Sequence, residues 1–165
     1  MALSSFRSRL RAFRIMRGDP PDPGFVADLE FLENRDLDLS VKLGAVLAFN
    51  ILLITVGTHP LSASPGAPLS LDAASHPLLT IASAIGLSPM VVSCYFALRA
   101  ITHDEEFDAD GLGDEDALRQ RLLATFVHSI DTQKGLLRRA VIASVAGGIV
   151  TLALWAVILA AKMTA

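Results

Sequence analysis

Apolar residues fall in three blocks along the chain, and polar residues fill the stretches between them. The third block, Ala140 to Ala161, reads AVIASVAGGIVTLALWAVILAA, 22 residues without a charge. About 20 such residues in helical form cross the hydrocarbon core of a bilayer. The second block, Pro77 to Leu98, is also 22 residues long and uncharged. It carries Pro89, which lacks an amide proton and is expected to kink the helix. The first block, Val41 to Gly57, has 17 residues with Lys42 near one end, where its ammonium can snorkel to the headgroups. A run this short also suits a buried soluble hairpin, but two full-length spans beside it favour a third crossing.

Periodicity extends two blocks outward. Phe25, Leu29, Leu32, Leu39 and Leu43 recur at three-, four- and seven-residue intervals. That stripe predicts one helix over 25–57, with Asp28, Glu30, Glu33, Arg35, Asp36 and Asp38 on its other faces. Leu118, Leu122, Phe126, Val127 and Ile130 form a second stripe, which Asp116 can cap. It predicts a helix over 116–161, whose first half can pair with residues 25–40. The second span covers 77–99, and 100–115 is an acidic loop. The expected fold is all-α: an integral membrane protein with three transmembrane helices and cytoplasmic helical extensions.

Charge sets the orientation. Seven of the 14 Lys and Arg lie at or before Lys42, and six more lie between spans two and three. The loop from Thr58 to His76 has none, and only Lys162 follows span three. The positive-inside rule then places the N-terminus and the second loop in the cytoplasm and the C-terminus outside, in a multi-pass protein of the cell inner membrane. Residues 1–18 hold five Arg and no acid. Arg7, Arg9, Arg11 and Arg14, with Phe6, Leu10 and Phe13, suggest a basic amphipathic helix on an anionic membrane surface. The same composition fits an organelle-targeting presequence, or a plain solvated arm.

Composition excludes more than it assigns. The chain has 165 residues, 52% of them hydrophobic, and a net charge of -3, so no overall field draws nucleic acid. One cysteine, Cys94, permits no internal disulfide. The spans hold no intramembrane carboxylate and no paired histidine, and the chain has no phosphate loop or nucleophile elbow. Catalysis is not expected, and neither is a cofactor. The acidic stretch HDEEFDADGLGDED places Glu106, Asp108, Asp110 and Gly111 at calcium-loop spacing. Position one is Glu rather than Asp, however, and position twelve is Ala117, so a solvated acidic turn is the expectation. His59 and His76 flank the first loop and read as ordinary polar residues rather than a metal pair.

Small residues recur four apart in every span: Gly44 and Ala48, Ala82 and Gly86, and Ser144 and Gly148, with Gly147 on a neighbouring row. Such spacing lets helix backbones approach closely in lipid. Asn50 is the one strongly polar side chain deep in a span, and it is expected to meet a partner rather than lipid. That partner is another helix of the same chain, a second subunit, or a pore.

The segment KLGAVLAFN, from Lys42 to Asn50, resembles the start of the first span in the transmembrane effectors of Pycsar antiphage defence. Lys42, Leu47, Ala48, Phe49 and Asn50 match that pattern in register. The Asp that precedes the Lys by two positions there is Ser40 here, with Asp38 two positions earlier. DTQKGLLRRA, with Asp131 and Lys134 before the last span, is a second likeness. The resemblance implies a membrane effector, triggered by a cyclic pyrimidine nucleotide, that oligomerises and disrupts the membrane. The rival expectation is an accessory structural subunit of a larger respiratory or photosynthetic membrane complex. The partners expected are therefore the lipid bilayer, further copies in a homo-oligomer or the subunits of a hetero-oligomeric complex, and a cyclic nucleotide signal. A small transporter is disfavoured by the lack of ionisable pore-lining groups.

Overall fold

The computed structural model describes residues 23–64, 66–103 and 115–164. The basic segment 1–18, with Arg7, Arg9, Arg11 and Arg14, lies outside them, and so does most of the acidic loop. Five helices make up the described chain: α1 (Pro23–Gly57), α2 (His59–Ser62), α3 (Pro77–Gly86), α4 (Ser88–Ile101) and α5 (Glu115–Met163). No strand occurs among the described residues. Three helical stretches are long and apolar enough to cross a membrane: α1, α3 with α4, and α5. The fold is all-α, and a multi-pass membrane protein is what these lengths and compositions fit.

The three membrane-length stretches are Pro23–Gly57, Pro77–Ile101 and Asp116–Met163, the second of them divided into α3 and α4. α1 opens on Pro23, which suits a first turn where no amide proton is needed. Near Pro89 the helix is interrupted at Leu87. Without an amide proton Pro89 cannot bond to the carbonyl of Ile85, so α3 ends at Gly86. The Leu87 amide then donates to Ala84 and Ile85. Helix resumes at Ser88, with the Met90 amide on the Leu87 carbonyl at 3.0 Å.

The chain divides into two compact units. The first comprises the described residues up to Leu43 and from Leu98 to Leu137. Its core is Phe25 and Leu29 of α1 against Leu118 and Leu122 of α5, with Leu123 and Phe126 packed on it. These are the two predicted stripes brought together. The Arg119 guanidinium sits over the Phe25 ring, 5.4 Å from its centroid. Further along, the Gln133 side-chain amide donates to Asp36 at 3.2 Å.

The second unit runs from Gly44 to Ala97 and from Arg138 onward. Here Gly57, Gly86 and Gly147 mark the close approaches. A Cβ at Gly147 would lie 2.7 Å from Met90 Cγ and 3.3 Å from its backbone nitrogen. At Gly86 it would meet Leu154, and at Gly57 the Leu87 side chain. The connection after α1 is more ordered than its Pro- and Ser-rich composition suggests. It forms the short α2, turns at Gly66 with φ 91°, and returns so that the Leu71 amide bonds to the Pro60 carbonyl at 2.9 Å.

Candidate functional site

The second unit holds a buried polar junction joining its three spans. Asn50 sits on α1, Ser93 on α4, and Ser144 on α5 one turn after Ala140. Asn50 and Ser93 are completely buried and Ser144 nearly so. Asn50 Nδ2 donates to Ser93 Oγ at 2.7 Å, and Ser93 Oγ donates to the Ala140 carbonyl at 2.6 Å. Ser144 Oγ donates to Asn50 Oδ1 at 2.6 Å.

The direction of each bond follows from the others. The Ala140 carbonyl can only accept, so it takes the single Ser93 hydroxyl proton. Ser93 must then accept from Asn50, which turns the amide nitrogen toward α4 and the amide oxygen toward α5. The oxygen in turn takes the Ser144 proton. A helical serine can ordinarily satisfy itself on a carbonyl of its own preceding turn. Ser93 and Ser144 instead spend their protons on other helices, which makes the junction a tie between spans. Where no water competes, such interhelical bonds hold a register that apolar contacts alone leave free.

Other residues singled out from the sequence are placed differently. Gly86 and Gly147 lie at helix contacts, and Ala82 is half-buried. Gly44 and Ala48 face outward instead, and among the described residues nothing lies near a Cβ at Gly44 or Gly148. Phe49 is 54% exposed and contributes, with Leu53, Val145, Gly148, Ile149 and Leu152, to an apolar groove of about 330 Å³ between α1 and α5. Lys42 is exposed and pairs with Asp38 at 2.6 Å, one turn back. Asp131 and Lys134 are both exposed on α5.

Two features carried no signal of this kind in the sequence. Ser93 was one serine among many, and only the depth it shares with Asn50 could have marked it. Lys162 looked like a tail residue, yet its ammonium donates to the Ala67 carbonyl at 2.6 Å and to Ser70 Oγ at 2.9 Å. It thereby holds the connecting loop against the end of α5. Among the described residues, no cluster of three or more His, Cys, Asp or Glu is placed to hold a metal ion. Compared with known protein families, curated proteins and solved structures, the chain matches none of them.

Proposed function

We propose that this protein is a membrane-embedded effector, of the kind its Lys42–Asn50 segment resembles, that assembles with further copies of itself and disrupts the bilayer on a cyclic nucleotide signal. The observation that carries this reading is the outward-facing small-residue surface of α1. Gly44 and Ala48 are one turn apart and exposed, and among the described residues a Cβ at Gly44 meets nothing. In lipid, where apolar surfaces gain little by meeting one another, small residues on an open face favour close approach of a further helix.

A second reading, an accessory subunit of a larger membrane complex, draws on the junction itself. Asn50, the strongest polar group in the spans, has its bonding partners within the chain. A bundle tied this way suits a static part that lends its open faces to neighbours.

Native mass of the gently solubilised chain, expressed alone with and without a cyclic pyrimidine nucleotide, separates the two. A homo-oligomer whose size changes with nucleotide, and that Gly44→Leu reduces to monomer, supports the effector. A monomer indifferent to nucleotide and stable only beside other subunits moves the reading to the accessory role.

A further inference from the structure

A second set of polar groups lies in the same unit, toward the loop, and it is the opposite of the Asn50 junction. Ser83 Oγ, Thr151 Oγ1 and Trp155 Nε1 are buried and have no hydrogen-bond partner among the described residues. All three residues line one small cavity, whose other walls are Gly57, Pro60 and Leu154. As packed, the cavity leaves no room for a water molecule. Three polar groups are therefore shut away from water and from one another's bonding. A buried polar group left unpaired is costly, and the cost vanishes as soon as water reaches it.

One wall of this cavity is fastened through the connecting loop. Pro60 belongs to α2, in the connecting loop, and is buried. Its carbonyl accepts from the Leu71 amide, and the neighbouring Ser70 and Ala67 are the two groups that the Lys162 ammonium holds. One charged side chain at the end of α5 therefore secures the loop segment whose Pro60 forms one wall beside the three unsatisfied polar groups.

We propose that the Lys162 strap is a latch. While it is closed, the loop end of the bundle is dry and held against the cost of its unpaired groups. When it is released, water enters and bonds to Ser83, Thr151 and Trp155, opening the bundle from the loop end while the Asn50 junction keeps the three spans together. This goes beyond the effector reading, since it concerns the chain's own bundle and needs neither a signal nor a partner.

Trp155 is the only tryptophan of the chain, and it lines both this cavity and the apolar groove between α1 and α5, so its fluorescence reports on both without labelling. The full-length protein in detergent or lipid discs is compared with Lys162→Met and with Ser70→Ala, which removes one of the two contacts of the ammonium. Expected for Lys162→Met is a red shift of the Trp155 emission and stronger quenching by acrylamide, with helix content retained. Ser70→Ala shifts both in the same direction by less. Ser83→Ala and Thr151→Val, each removing an unpaired hydroxyl, are expected to leave melting temperature unchanged or raised, and to weaken quenching when added to Lys162→Met. Unchanged Trp155 emission and quenching in Lys162→Met overturns the latch. Loss of helix content in both strap variants overturns its confinement to the loop end. A marked drop in melting temperature for Ser83→Ala or Thr151→Val overturns the claim that these groups are unsatisfied.

Discussion

Asn50 on α1 and Ser93 on α4 are 43 residues apart in sequence and joined by a 2.7 Å hydrogen bond at complete burial. The Ser93 hydroxyl in turn donates to the Ala140 carbonyl of α5, so one hydroxyl links all three spans. Ser144 adds a single bond to the same amide. The two serines are therefore unequal. Ser93→Ala removes one acceptor and one donor and leaves an Asn50 amide proton buried without its partner. Ser144→Ala removes one donor only. Interhelical bonds of this kind contribute about 0.5–2 kcal/mol each, so Ser93→Ala is expected to cost about twice as much as Ser144→Ala. Asn50→Leu is expected to match or exceed Ser93→Ala. Unfolding in graded mixtures of mild and denaturing detergent measures the order, and equal losses for the two serines would contradict it.

Glycines that look alike in the sequence are expected to respond with opposite sign. At Gly147 an added methyl meets the side chain and backbone of Met90, and the backbone cannot yield without moving α4. Gly147→Ala should destabilise by about 1–3 kcal/mol, the usual cost of forcing extra volume into a packed contact. At Gly148 nothing is within reach. There Ala brings only its better helix propensity, worth up to about 1 kcal/mol in an exposed helix. Thermal melting of the two variants in the same detergent gives the comparison. A Gly148→Ala variant that is monomeric and less stable than the parent would show that this face is already occupied.

These cases indicate what the sequence carries and what it does not. The 22-residue uncharged run before Lys162 states its length directly, and Pro89 announces a break because a missing amide proton is a local fact. The pairing of α1 with α5 in the first unit is legible because Phe25, Leu29, Leu118 and Leu122 keep helical spacing. The partner of Asn50 is not local: it depends on which residues of two other helices arrive at the same depth. Gly44 and Gly147 carry the same spacing signal, and only packing shows that one faces outward and the other touches Met90. Lys162 carries no sequence signal, because its partners are a carbonyl and a hydroxyl in a loop more than 90 residues away along the chain. Lys42, Ala48, Phe49, Asp131 and Lys134, which stand out in the sequence, are all exposed here.

The first unit should yield separately from the spans. Leu122 is 3% exposed and packs with Phe25, Leu29 and Leu118. Leu122→Ala leaves a cavity in this small core, at a cost of about 2–5 kcal/mol. Hydrogen exchange is expected to quicken over residues 23–40 and 116–130 while amides around Asn50 and Ser144 keep their protection. Faster exchange at the Asn50 junction as well would show that the two units unfold together.

The last expectation concerns acid. Asp72 is fully exposed in the loop before α3, and its carboxyl titrates below its ordinary value. The main cause is the Ser75 hydroxyl, which donates to Oδ2 at 2.6 Å, followed by the Ala74 amide on Oδ1 at 3.1 Å. Both favour the charged form, so the folded turn holds its proton less tightly than the unfolded chain does. Its stabilisation is then fully present above the unfolded value, and is lost as pH falls through the lowered folded value. Exposure to solvent keeps the effect small and local. Acidification should therefore loosen the Asp72–Ser75 turn, seen as a lower protection of the Ala74 amide relative to its intrinsic exchange rate at the same pH, before it touches the spans. In Asp72→Asn the side chain no longer titrates and its amide nitrogen cannot accept from Ser75. That variant should show a looser turn at neutral pH and no further change on acidification. An acid response that persists in Asp72→Asn would assign the loosening to another group.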